Sequence, residues 1–62
     1  MITYKIESDR VNGISIVIYT NGLYEVSIFG DAYKIEKGWV YLYINKTPIF
    51  TKYIPNIETV GV

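Results

Sequence analysis

Hydrophobic and polar residues alternate along this chain, and glycines at positions 13, 22, 30 and 38 divide it at intervals of eight or nine. Alternation with period two marks half-buried strands, and the glycine rhythm marks tight turns between them. The pattern predicts strands near 2–9, 14–20, 23–29, 32–36, 39–45 and 49–54, with a short last one at 57–61. Helix formers are scarce (one Ala, two Leu, one Met and no Gln), whereas eleven Ile, six Val and seven Tyr suit a pleated surface. No linker, repeat or charge run interrupts the pattern, so one all-β domain over residues 1–62 is expected.

The stretch "YTNGL" at 19–23 sets the phase of the sheet. Asn-Gly between apolar runs ordinarily makes a two-residue hairpin loop. That loop pairs Ile18 with Glu25 and Ile16 with Ser27, mixing charge and hydroxyl into an isoleucine row. A three-residue loop, Thr20-Asn21-Gly22, instead pairs Ile18 with Tyr24, Ile16 with Val26 and Ile14 with Ile28. The opposite face then pairs Val17 with Glu25 and Ser15 with Ser27. A one-residue slip turns every side chain to the other face, so the apolar pattern favours the three-residue register. The same loop at Val11-Asn12-Gly13 pairs Ser8 with Ile16 and Ile6 with Ile18.

Even-numbered residues are therefore expected inside: Ile2, Tyr4, Ile6, Ile14, Ile16, Ile18, Tyr24, Val26 and Ile28, continuing to Val40, Leu42 and Ile44. Beyond residue 45 the phase is open, with either Phe50 and Ile54 inside or Ile49 and Tyr53. An apolar sheet face without a helix to cover it must be covered by the sheet itself. The expected architecture is a small antiparallel meander closing into a five- or six-stranded SH3-like or OB-like barrel, or a sandwich.

Composition narrows the function classes. A chain of 62 residues buries only about 60% of its unfolded surface, so it needs a dense core or an oligomeric partner. Six basic and six acidic residues cancel, which disfavours a general polyanion binder, whose affinity rests on many Lys and Arg contacts. The start "MITYKIESDR" lacks the apolar stretch of a signal peptide. The longest apolar run, Trp39 to Ile44, is far short of the ~20 residues of a spanning helix. A small soluble cytoplasmic protein with no membrane association is expected.

Catalytic chemistry is poorly supplied. There is neither His nor Cys, which removes the usual neutral-pH base, the commonest metal ligands and the thiol nucleophile. No phosphate-cradling glycine motif occurs. Glu7, Asp9 and Glu25 fall on the outward face, Glu7 and Glu25 flanking Val17 in the expected register. Asp31 and Glu36 fall at turns. Solvated face charge explains the first three and turn chemistry the other two, so no catalytic, metal-binding or cofactor-binding residue is assigned and the protein is not read as an enzyme.

The informative feature is aromatic. "GWVYLYIN" places Trp39, Tyr41 and Tyr43 on one face and Val40, Leu42 and Ile44 on the other. With even positions inside, Tyr19, Phe29 and Tyr33 also point outward. The candidate partner-binding set is Tyr19, Tyr33, Trp39, Tyr41 and Tyr43 with Lys34 and Lys37. Outward Tyr and Trp bring rigid area with a polar tip and are enriched at interface hot spots. The competing explanation is that these rings form a second core or a homodimer seam. Residues 31–53 carry Lys34, Lys37, Lys46 and Lys52 against Asp31 and Glu36, so a weak stacking groove for single-stranded nucleic acid is a further alternative.

In length and composition alone, the chain is similar to the short stand-alone Ile/Tyr/Lys/Asn-rich proteins of bacteriophages and other mobile elements. Many of those bind and block one host protein, anti-CRISPR and other anti-defence inhibitors among them. The resemblance carries no residue across. It implies a stoichiometric inhibitor of a host protein.

Overall fold

The computed structural model describes residues 1–11 and 13–61. They form seven strands: β1 (Ile2–Asp9), β2 (Gly13–Thr20), β3 (Leu23–Gly30), β4 (Ala32–Glu36), β5 (Trp39–Ile44), β6 (Thr47–Tyr53) and β7 (Glu58–Gly61). The chain is all-β, in two sheets ordered β3-β2-β1-β7 and β4-β5-β6. Among the described residues the ladders run as two sheets. One pairing departs from an antiparallel meander, since β7 lies parallel to β1. Only a hairpin partner is obliged to run antiparallel, and β7 reaches β1 after the chain has crossed over from the other sheet.

The turn at Asn21-Gly22 corrects the expected register. Thr20 pairs with Leu23, and both loop residues have positive φ (53° and 81°). This is the two-residue loop whose twist suits a hairpin, and Asn-Gly tolerates its left-handed backbone. The ladder then slips between Ile18 and Tyr19, so that Tyr19 faces Tyr24 while Ile18 faces Val26. Glu25 is thus the extra residue of a β-bulge. The bulge, and not a longer loop, restores even-with-even pairing: Ile16 meets Ile28 and Val17 meets Ser27.

Tyr24 consequently lies on the outer face beside Tyr19 instead of inside beside Ile18. Glu7 and Glu25 do not flank Val17, whose neighbours are Lys5 and Ser27. The loop expected at Val11-Asn12-Gly13 includes Asn12, which lies outside the described residues. Its ladder closes at Asp9 with Gly13, so Ile6 meets Ile16 and Ser8 meets Ile14. Those pairs sit two residues from the expected ones and keep the same face.

Ile6 and Ile16 from the first sheet pack against Val40 and Leu42 from the second, all four nearly fully buried. Tyr4, Ile14, Ile28, Phe50, Ile54 and Ile57 surround them. Phe50 faces Leu42, which settles the phase after residue 45: Phe50 and Ile54 belong to the core side, Ile49 and Tyr53 are exposed. Ile2, Tyr24, Val26 and Ile44, expected inside, are exposed as well. Ile2 begins β1, and Val26 lies on β3, the edge strand of its sheet. Val17, expected outward, is buried for a reason given below.

The crossing between sheets is made at Gly30. A Cβ there would stand 2.7 Å from both Leu42 Cγ and the Tyr43 carbonyl oxygen, closer than real Cβ atoms approach. The next residue, Asp31, donates its N–H to that carbonyl at 2.8 Å. Only a residue without a side chain lets β3 end so close to β5. Among the described residues no helix is long and apolar enough to cross a membrane.

Candidate functional site: the outer face of β4-β5-β6

β5 lies between β4 and β6, so its alternation decides what each face of this sheet presents. Val40 and Leu42 point into the core, which leaves Trp39, Tyr41 and Tyr43 as the central column of the outer face. The ladder supplies their neighbours in three rows: Glu36–Trp39–Tyr53, Lys34–Tyr41–Thr51 and Ala32–Tyr43–Pro48. Partners directly opposite in an antiparallel pair share a face and touch. Large rings thus run down the middle, with small or polar residues beside the two lower ones.

The rings hold one another. Tyr41 and Tyr43 stack with centroids 6.4 Å apart and planes 20° from parallel. Trp39 and Tyr53 approach to 5.4 Å at a tilt of 57°. The Lys34 ammonium lies 4.9 Å from the Tyr41 ring centroid, within cation–π range, and 3.7 Å from Glu36. That ion pair is more than half exposed, so it fixes the lysine's direction more than it stabilises the sheet. Trp39 and Tyr53 remain 45% and 55% exposed, and Tyr41 and Tyr43 are half-buried.

At one end the column opens into a shallow cavity lined by Asp31, Ala32, Tyr43, Asn45 and Lys46. Its floor is built by Asp31, whose Oδ2 accepts the Asn45 N–H at 2.8 Å. That bond clamps the β5–β6 turn, where Asn45 and Lys46 both have positive φ (51° and 66°). Lysine gains nothing from a left-handed backbone that glycine adopts without steric cost.

The expected binding residues divide between places. Lys34, Trp39, Tyr41 and Tyr43 come together here. Tyr33 does not join them, because the β4–β5 turn is the two-residue loop Lys37-Gly38, with both φ positive (51° and 86°). Glu36 then pairs with Trp39 and Tyr33 with Leu42, which turns Tyr33 to the core side. Lys37 occupies the turn. Tyr53 belongs to the face but not to the candidate set; a hairpin at Asn45-Lys46 followed by one bulge is what sets it opposite Trp39.

Tyr19 lies on the opposite side of the molecule. Its hydroxyl donates to Glu7 Oε2 at 2.7 Å, although Tyr19 stands opposite Thr3 and Glu7 opposite Ser15. To reach that far the ring lies along the sheet, across Val17, which explains the burial of an outward valine. Lys5 covers the ring at 5.3 Å, and Tyr24 meets it edge-on at 6.5 Å. The hydrogen bond to Glu7, then burial, then the Glu7 charge raise the Tyr19 pKa above its ordinary value.

Among the described residues no cluster of three or more acidic side chains is placed to hold a metal ion. Comparison with protein-family models, with curated proteins and with solved structures gives no match to this chain.

Proposed function

We propose that this protein is a small non-catalytic protein-binding module that engages its partner through the outer face of β4-β5-β6. One observation carries this reading: a column of three aromatic side chains, extended sideways by Tyr53, lies on the outer face of β4-β5-β6, with Trp39 and Tyr53 exposed and Tyr41 and Tyr43 half-buried. Tyr and Trp dominate the energetics of protein interfaces because they bring large area at low conformational-entropy cost. The rings are already ordered by their own stacking, so little further ordering is needed on binding. The cavity beside Tyr43 offers a recess for a partner's anchoring side chain, and Lys34 adds a cation directed by Tyr41 and Glu36.

The frame we propose for this face is a small SH3-like or OB-like barrel or sandwich. The composition and length shared with phage-type proteins favour one form of the activity, stoichiometric inhibition of a host defence enzyme, as anti-CRISPR proteins do. The test is affinity capture from cells of the source organism or its host, with wild type and Trp39→Ala side by side. A protein retained at one-to-one stoichiometry by wild type and lost by the variant, with an unchanged far-UV spectrum, supports the reading. Identical capture by both chains contradicts it, as does retention of single-stranded nucleic acid in place of protein.

A further inference from the structure

The two sheets leave four strands with an unpaired side: β3, β7, β4 and β6. An unpaired strand is a template for another chain, and soluble proteins blunt it with shortness, charge, proline or a bulge. Three of these edges are blunted. β7 has four residues and begins at Glu58; β4 has five and carries Lys34 and Glu36. β6 contains Pro48 and Lys52, with a ladder slip opposite Leu42 and Tyr43.

β3 is different. It has eight residues, and its single charge, Glu25, sits in the bulge. Beyond the bulge, Val26-Ser27-Ile28-Phe29-Gly30 is regular, uncharged and free of proline. Val26 is 45% exposed and Phe29 54%.

We infer that β3 pairs antiparallel with β3 of a second copy, making a symmetric dimer by strand addition. The occupant follows from the strand's own pattern. A two-fold axis through Ser27 sets Val26 opposite Ile28 of the second copy, and Ser27 opposite its counterpart. Val26 and Ile28 face the core side of the sheet, Ser27 and Phe29 the outer side. Every apolar core-side residue therefore meets another, and hydroxyl meets hydroxyl behind them. No like charges oppose across this register, and the chain as a whole is neutral.

The total surface leaves room for such an interface. The chain exposes 4501 Å², whereas a folded monomer of its mass exposes about 4,100 Å². The surplus is roughly 400 Å², about half of what each partner contributes to a standard interface. This inference is independent of the aromatic face, which lies on the other sheet.

The test is sedimentation of the full chain from micromolar to millimolar concentration, with amide hydrogen exchange on the same samples. The expected result is a species of twice 7.2 kDa and slow exchange through residues 26–30. Ser27→Lys places two ammonium groups face to face at the axis and shifts the monomer–dimer midpoint upward by about tenfold or more. Phe29→Lys serves as a second variant, read by the same shift. A monomer at every concentration overturns the inference. So does a dimer that both variants leave unchanged, which would assign self-association to another surface. Protection of β3 that appears only when an unrelated extended peptide is added overturns it too, by giving the edge to a different protein.

Discussion

Each sheet turns one face to the other sheet and one to solvent, and the two solvent faces use tyrosine in opposite ways. On β3-β2-β1-β7, Tyr19 lies down, donates to Glu7, and roofs Val17 under Lys5. Its polar tip is consumed inside the protein. On β4-β5-β6 the rings of Tyr41, Tyr43 and Tyr53 meet other rings and Lys34. Among the described residues no hydrogen bond occupies their hydroxyls, which stay at the disposal of water or a partner. Aromatic content alone therefore does not mark a binding face. What separates the two is whether the chain already satisfies the ring's polar end.

The largest contrast lies within β5 itself. Leu42→Ala removes a fully buried side chain from the junction of the sheets and should cost about 3 kcal/mol. Tyr41→Ala, one residue away on the outer face, should cost less than about 1 kcal/mol. Chemical denaturation of both variants measures the difference. Equal losses would mean that the aromatic column is a second core, and the contrast between β5's faces would collapse.

A smaller effect of opposite sign is expected at the β5–β6 turn. Lys46 has a φ of 66°, and glycine in its place should stabilise the domain by about 1 kcal/mol. A rise in melting temperature for Lys46→Gly, with weaker partner binding, would place the Lys46 ammonium in the interface. A rise with unchanged binding would confine its role to the turn.

The pH dependence is smaller still and belongs to the other face. The Tyr19 proton is held more tightly in the folded chain than in the unfolded one, where the pKa is the ordinary 10.0. Its contribution is fully present below that value and is lost as pH rises through the higher folded pKa. Stability should therefore fall on the alkaline side, and Tyr19→Phe should flatten that limb. Thermal melts of wild type and Tyr19→Phe between pH 8 and 11 check this.

Much of this arrangement is legible in the residues. The period-two alternation locates every strand to within about two residues, the usual uncertainty of element boundaries. It also separates the two faces of β5. The pairings were harder, because two different local structures satisfy one hydrophobic pattern. A three-residue loop and a two-residue loop followed by a bulge both bring Ile16 and Ile18 against even-numbered partners. The alternation sees only their shared parity, and the position of Tyr24 depends on which one forms.

Tyr33 fails for a related reason. A two-residue turn at Lys37-Gly38 reverses parity between β4 and β5, and no bulge restores it. The pattern places Tyr19 on the outward face but not the way its ring lies there. Its side depends on strand phase, but its posture depends on a hydrogen bond to a strand twelve residues earlier.

The proposed partner is expected to meet the face of Trp39 and not the face of Tyr19. Titration calorimetry of the captured partner against wild type, Trp39→Ala and Tyr19→Ala tests this. Trp39→Ala should weaken binding by about thirtyfold or more, as loss of a hot-spot aromatic does, while Tyr19→Ala should leave the affinity within about twofold. Full affinity in Trp39→Ala, or an equal loss in Tyr19→Ala from a chain that remains folded, would contradict it.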